Sequence, residues 1–207
     1  MSLPIFELTI SEKLDDESEV SYISLVDAPA IQKNFLHFNQ DIYGKIKPIL
    51  NMFQIVNEDE RIVSGALMLA DELIYRTPNK NIKTEHYVKF SADTIKQIAI
   101  KFAKRKYQNH VNLMHDPNQI VDGVVMFESW ITDKKRGVLA MKGFEEVANG
   151  SWFGSFYVEN SDVWNQIKDG TFKGFSVEGM FDYEEPISAE ENALRTIDKL
   201  LKEIITN

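Results

Sequence analysis

Cysteine is absent from this chain of 207 residues. Without thiols the fold has no disulfide bonds and no thiolate metal sites, and a reducing compartment suits it. Long apolar runs are absent too, because no run approaches the roughly 20 residues that a membrane-crossing helix needs. The N-terminal segment is acidic and has no basic stretch followed by an apolar one, so we expect no secretory signal. We therefore expect no membrane partner.

Basic charge is scarce as well. The chain has 23 lysines and arginines against 32 aspartates and glutamates, which gives a formal net charge of -9. Proteins that bind phosphate backbones normally present a basic surface. The longest basic cluster, residues 101–107, ends a predicted helix, where cations complement the helix dipole. We therefore expect no nucleic-acid partner.

Hydrophobic periodicity alternates with turn residues through most of the chain. Ser91 precedes a run in which Ile95, Ile98 and Phe102 recur at helical spacing, which predicts an amphipathic helix over 92–108. Runs of strand length or of period two predict most of the remaining elements. These predicted strands cover residues 62–70, 86–90, 110–115, 124–132, 138–142, 151–158 and 174–183. The pattern favours an α+β fold with mostly antiparallel strands.

The chain divides into three predicted parts. Residues 1–45 show no clean alternation and predict an N-terminal arm, whereas residues 46–187 hold the predicted strands and form the central domain. Residues 188–207 predict an amphipathic helix that starts with a capping box of Ser188 and Glu191. Its apolar stripe must pack on the domain or on a partner. The stripe consists of Leu194, Ile197, Leu201 and Ile204.

Ser176 lies inside the segment GTFKGFSVEG, within a predicted strand. Strand alternation places it on one side with Glu178, Met180 and Asp182. It is either an ordinary strand serine or a nucleophile whose partners lie elsewhere in the chain. The nucleophile elbow of α/β-hydrolases has the spacing G-x-S-x-G at a strand-to-helix turn, and this segment does not match it. That fold is therefore excluded.

Two further residues could assist such a serine. His115 ends a predicted strand on the face of Val111 and Leu113, where it is either a structural residue or a general base. Glu128 shares a predicted strand face with apolar neighbours. A buried carboxylate needs a partner such as a histidine, whereas a carboxylate on a solvated face would pair with a lysine. The sequence leaves both interpretations of Glu128 open.

A metal hydrolase site built from His110, His115 and Asp116 is a third alternative. Alternation puts the two histidines on opposite faces of the strand, so that they could not easily share one ion. The sequence carries no nucleotide-binding or metal-binding motif. We therefore expect neither a metal nor an organic cofactor.

Five segments, taken in order, resemble the XkdF-like serine proteases of tailed phages. These proteases belong to the wider group of phage prohead, or capsid maturation, proteases, which in turn look like the herpesvirus assembly proteases. The resemblance covers roughly residues 20–183. The segments are YISLVDAPAI, IYR, NLMHD, FESWI and DVWNQIKDGTFKGFSVEGMF.

The resemblance implies a compact β-barrel flanked by helices, with the active site of a serine endopeptidase. His115 matches the family's histidine, the general base, and Ser176 matches its serine nucleophile. Related phage proteases orient the histidine with an acidic residue, and Glu128 in the FESWI segment is the preferred candidate. The herpesvirus enzymes use a second histidine instead, which is excluded because no histidine follows Ser176. The acids that follow the serine stay open as alternatives: Asp182, Glu184, Glu185, Glu190 and Glu191.

The same resemblance implies that the substrates are phage scaffold and major capsid protein. The enzyme would then act in the host cytoplasm, inside the assembling procapsid. Self-association and self-cleavage stay open. The alternative is a catalytically inactive, protease-like structural or scaffold-associated component of the phage head. In that case the arm and the C-terminal helix would be docking elements, and Ser176 and His115 would not need to touch.

Overall fold

The computed structural model describes residues 3–28, 53–58, 60–79 and 82–205. Its strands are β1 (Ile5–Thr9), β2 (Glu19–Val26), β3 (Gln54–Asn57), β4 (Ile62–Met68), β5 (Ile74–Arg76), β6 (His86–Lys89), β7 (Val111–Leu113), β8 (Asp116–Ile120), β9 (Val124–Ile131), β10 (Trp152–Val158), β11 (Gly174–Met180) and β12 (Asp182–Tyr183). Its helices are α1 (Ala92–Arg105), α2 (Ser161–Lys168) and α3 (Ala189–Ile205). No helix in these ranges combines the length and the apolarity needed to cross a membrane.

The described strands form three sheets of four strands each. The first sheet has the order β12-β1-β6-β5, the second β3-β4-β10-β9 and the third β11-β2-β7-β8. The pairs β1–β6 and β2–β7 are parallel, and the other neighbouring pairs are antiparallel. The predicted α+β class is therefore confirmed.

The predicted compact barrel, of the herpesvirus-protease type, is not found. None of the three sheets closes on itself. Strands β4 and β11 are close neighbours, because a Cβ added to Gly65 of β4 would lie 3.0 Å from the ring of Phe175 in β11. No hydrogen-bonded ladder joins these two strands within the described ranges. The second and third sheets therefore meet without closing into a barrel.

Helix α1 packs its apolar stripe into the core. The helix begins after Ser91, whose hydroxyl oxygen accepts a backbone N–H of the first turn. Ile95, Ile98 and Phe102 are at most 2% exposed. The ring of Phe102 meets the ring of Trp152 of β10 edge-on, with 5.5 Å between centroids. Burying each such side chain contributes about 1.5–3 kcal/mol, so the stripe anchors the helix to the second sheet.

Part of the predicted N-terminal arm is an interior strand. Strand β2 lies between β11 and β7 in the third sheet, and its Ile23 and Leu25 belong to the core. Alternation along β2 was hard to detect because its polar face is covered as well, with Ser24 fully buried. Residues 29–52, which include the rest of the predicted arm, lie outside the described ranges.

The predicted C-terminal helix is present as α3, and the Ser188 hydroxyl accepts the N–H of Glu191 at its start. Polar contacts tie it to the domain: Lys199 pairs with Asp71, and Lys89 donates a hydrogen bond to Asn192. Its apolar stripe does not pack on the described residues. The exposed members are Leu194, Ile197, Leu201 and Ile204, each more than half exposed.

Candidate active site

A two-residue hairpin turn positions His115. Leu113 of β7 pairs with Asp116 of β8, and the residues between them, Met114 and His115, have φ values of 53° and 59°. Tight hairpins use this left-handed conformation because it matches the twist of their strands. Residues other than glycine rarely adopt this backbone conformation, although histidine is among the residues that tolerate it. Two consecutive residues with positive φ therefore set the direction of the His115 side chain.

The turn places His115 on a different face from the predicted one. Alternation assigned it to the face of Val111 and Leu113, but that prediction is wrong because the regular strand ends before it. The imidazole Nδ1 lies 3.0 Å from the Ser24 hydroxyl oxygen and 3.4 Å from Glu178 Oε2. His115 therefore turns toward the polar face of the third sheet.

That polar face carries a row of side chains across three strands. Ser176 of β11 lies directly opposite Ser24 of β2, which lies opposite Asn112 of β7. Directly opposed residues share a face of a sheet, and Glu178 joins them because it follows Ser176 by two positions. Ser24 and Asn112 are fully buried, whereas Ser176 retains 9% exposure. Of the two serines in the row, Ser176 is the accessible one.

Four side chains close a ring of polar contacts. Asn112 Nδ2 donates to Glu178 Oε2 at 2.8 Å, and the Ser24 hydroxyl donates to Asn112 Oδ1. The Ser24 oxygen also contacts His115 Nδ1, which in turn lies near Glu178. The ring therefore runs from the carboxylate through the amide and the hydroxyl to the imidazole and back.

The ring determines which imidazole nitrogen carries the proton. A carboxylate only accepts, so Asn112 must present its NH₂ group to Glu178 and its carbonyl to Ser24. The single hydroxyl proton of Ser24 is then used on that carbonyl, and Ser24 can only accept from His115. Nδ1 therefore bears the hydrogen, and Nε2 is left with its lone pair. A general base needs that lone pair.

Ser176 and His115 line the same cleft. The cleft has a volume of about 310 Å³ and also includes Glu178, whereas Ser24 and Asn112 do not line it. Within the described ranges, no hydrogen bond joins the Ser176 hydroxyl to His115. The structure thus brings Ser176 and His115 to one cleft. The imidazole contacts the hydroxyl of Ser24, the other serine of the row.

One edge of β11 borders the cleft. Strand β11 is the outer strand of its sheet and pairs with β2 on its other side. Residues 175–179 of β11 and residues 66–69 at the end of β4 line the cleft as two continuous stretches. An unpaired strand edge can accept an extended peptide through main-chain hydrogen bonds. The cleft therefore suits a peptide that runs past Ser176.

Glu128, the predicted third member, lies elsewhere. It is exposed on β9 of the second sheet, opposite Ser155, and it does not contact His115. The prediction that Glu128 shares a face with apolar neighbours is wrong, because the ladder between β9 and β10 shifts register. Glu128 pairs with Ser155 and Met126 pairs with Phe156, so Phe127 is an extra residue that interrupts the alternation. Glu178 contacts His115 instead. The sequence contained the signal, since Glu178 shares a strand face with Ser176.

The metal site considered from the sequence is not assembled. His110 stacks on Tyr107, with 4.1 Å between ring centroids, and its Nδ1 contacts the Ser21 carbonyl. The backbone N–H of Asn118 donates to Asp116 and lowers the pKa of that carboxyl. The described ranges hold no group of three or more histidines, aspartates or glutamates arranged for a metal ion. His110 and Asp116 therefore have structural partners.

Comparison with known protein families gives a match over the central part of the chain. The family model described as "Putative phage serine protease XkdF" matches residues 50–185, more than half of the chain. The matched range contains His115, Ser176 and Glu178, whereas Ser24 lies before it. No curated protein and no solved structure gives a significant match.

Proposed function

The chain belongs to the XkdF family of phage serine proteases, and we propose that it is a serine endopeptidase with Ser176 as nucleophile and His115 as general base. The family match supports the protease role. The observation that supports the residue roles is the polar ring, which holds the proton on His115 Nδ1 at the cleft that Ser176 lines. Glu178 is the proposed third member, in place of Glu128.

The proposed reaction follows from the tautomer. Substrate binding brings His115 Nε2 within hydrogen-bond reach of the Ser176 hydroxyl, and the imidazole takes the hydroxyl proton as the oxygen attacks the scissile carbonyl. The imidazolium then gives this proton to the leaving amine. Water, activated by the same nitrogen, hydrolyses the acyl-enzyme and restores the serine. Glu178 stabilises the positive imidazolium in both halves of the reaction.

The proposed setting is phage head assembly. The substrates would be the scaffold and the N-terminal region of the major capsid protein, cut in the host cytoplasm inside the procapsid. The family, whose description names phage proteins, and a cleft bordered by an unpaired strand edge support this proposal. Scaffold and capsid segments that are extended and accessible would suit that edge.

A fluorophosphonate probe followed by intact mass spectrometry tests the proposal. We expect one adduct on the wild-type chain and on Ser188→Ala, a control at the start of α3. Ser176→Ala and His115→Ala should show no adduct, because the first lacks the nucleophile and the second lacks the base. An adduct that persists on Ser176→Ala would contradict the assignment. Circular dichroism of each variant checks that it is folded.

The second candidate is a catalytically inactive structural or scaffold-associated head component. Two observations favour it: Ser176 and His115 are not hydrogen-bonded in the described structure, and the apolar stripe of α3 is exposed. A folded wild-type chain that forms no adduct, and that binds scaffold or capsid protein through α3, would support this candidate over the protease.

A further inference from the structure

Arg76 belongs to the wall of the cleft that the first sheet provides. It ends β5 and lies two positions after Ile74, so both side chains project from the same face of the sheet. That face contributes apolar side chains to the cleft, including Leu8 of β1. Tyr183 of β12 lies at the same wall. A single cation therefore sits among apolar and aromatic groups.

The guanidinium of Arg76 is partly buried, and no carboxylate of the described residues pairs with it. Burial lowers the pKa of the Arg76 side chain, although an arginine remains charged at neutral pH. Its Nη1 donates to the carbonyl of the preceding Tyr75 at 3.2 Å. In the part of the chain that the structure describes, no carboxylate lies within ion-pair distance of it. A guanidinium has five N–H donors, and the bond to the Tyr75 carbonyl is the one hydrogen bond that the Arg76 side chain makes to the described residues.

The other arginines of the chain have stronger partners. Arg105, Arg136 and Arg195 each pair with a carboxylate, at 2.8, 3.8 and 2.7 Å. Arg61 donates to the Glu159 carbonyl and to a serine hydroxyl. Leaving a partly buried cation without a counterion costs stability. Arg76 is therefore better explained by a partner that arrives with the substrate than by a role in folding.

Glu178 does not serve as that partner. Its carboxylate lines the same cleft, but it accepts from Asn112 and faces His115. The planar guanidinium binds carboxylates through two parallel hydrogen bonds, and low polarity around it strengthens such a pair. The cleft thus offers a carboxylate site on the wall contributed by the first sheet and a nucleophile on the wall contributed by β11.

We propose that Arg76 selects substrates by binding an aspartate or glutamate side chain close to the scissile bond, with apolar residues filling the rest of the cleft. This inference rests on the proposed protease function. It makes the substrate class an extended peptide segment that combines acidic and apolar residues. Arg76 is a specificity residue, because it does not touch the reacting atoms.

The test separates this inference from the proposed function by using two probes. The fluorophosphonate has no peptide portion, so its reaction rate reports on Ser176 and the residues that support it, and not on substrate side chains. Cleavage of a proteome-derived peptide library, read by mass spectrometry, reports on the side chains around the cut. Arg76→Met removes the charge at similar size, and Arg76→Lys keeps the charge but loses the planar fork. Both variants should label within about twofold of the wild-type rate, because Arg76 lies outside the polar ring.

We expect the wild type to cut with at least a tenfold preference for acidic residues at one position near the bond. Arg76→Met should lose this preference and unfold at the same or a higher temperature, since a methionine suits the apolar wall better than an unpaired cation. Arg76→Lys should keep a weaker preference. Efficient labelling without acidic preference, or a preference that survives Arg76→Met, would overturn the inference alone. A wild type that neither labels nor cuts would overturn the proposed function.

Discussion

The carboxylate that supports His115 can be identified by a matched pair of substitutions. Glu178→Gln removes the charge beside Nδ1 and keeps the size of the side chain. Glu128→Gln makes the same chemical change on the exposed face of β9. The structure therefore predicts a large effect for the first substitution and none for the second.

The size of the effect follows from the geometry at His115. Nδ1 lies 3.4 Å from Glu178 Oε2, and the two side chains are 42% and 32% exposed. Partial exposure places the effective dielectric between about 20 and that of water, which makes the attraction about 1–5 kcal/mol at this distance. A middle value of about 2–3 kcal/mol lost from the transition state corresponds to roughly 30- to 150-fold in rate.

The assay is the second-order rate constant for fluorophosphonate labelling of Ser176, measured by intact mass over time. Glu178→Gln should label roughly 30- to 150-fold more slowly than wild type, and Glu128→Gln should label within about twofold of it. Equal thermal unfolding temperatures would show that both variants keep the fold. Labelling of Glu178→Gln at the wild-type rate, together with slow labelling of Glu128→Gln, would refute the structural assignment and restore the prediction made from the sequence.

Two further predictions concern the framework around the site. Lys101→Met should lower the free energy of unfolding by about 3–5 kcal/mol, measured by thermal unfolding. The reason is that the buried Nζ donates to three backbone carbonyls in the loop 11–18, each at 3.0 Å. Lys104→Met changes an exposed lysine of the same helix and is the control. Gly179→Ala should cost about 1–3 kcal/mol and slow labelling, because its Cβ would lie 2.0 Å from the Glu19 carbonyl oxygen. An unchanged melting temperature in either variant would contradict the packing described.

Local periodicity predicted the elements whose alternation is regular. The helix expected over 92–108 is present over Ala92–Arg105, and the strand expected over 151–158 is present over Trp152–Val158. The strand expected over 138–142 is wrong, because only Val138 forms a bridge, with Asp133. The apolar residues of 138–142 fit the pattern of a strand, but the pattern does not show whether another strand is close enough to pair with it.

The arrangement of the candidate site depended on features that periodicity does not encode. The side-chain direction of His115 follows from positive φ values at two non-glycine residues, and a composition rule would not select Met114 for such a turn. The exposure of Glu128 follows from a register shift in β9. Ser24 was missed because its pairing with Ser176 joins positions far apart in the chain. All three features depend on which strands pair in the tertiary structure, and a single sequence does not show that pairing.

The candidate site depends on strand register, because the pairing that stabilises the third sheet also positions the residues of the site. Ser176 reaches the polar face because β11 pairs with β2 in the one register that sets it opposite Ser24. A slip by one residue would turn Ser176 into the core and bring Phe175 or Val177 to the polar face. The ladder shifts between Glu178 and Gly179, where the backbone of β2 comes too close for any side chain. Glycine at this position therefore lets β11 bend away immediately after the residues that the proposed reaction needs. The pairing that holds Ser176 at the cleft and Glu178 beside His115 is kept.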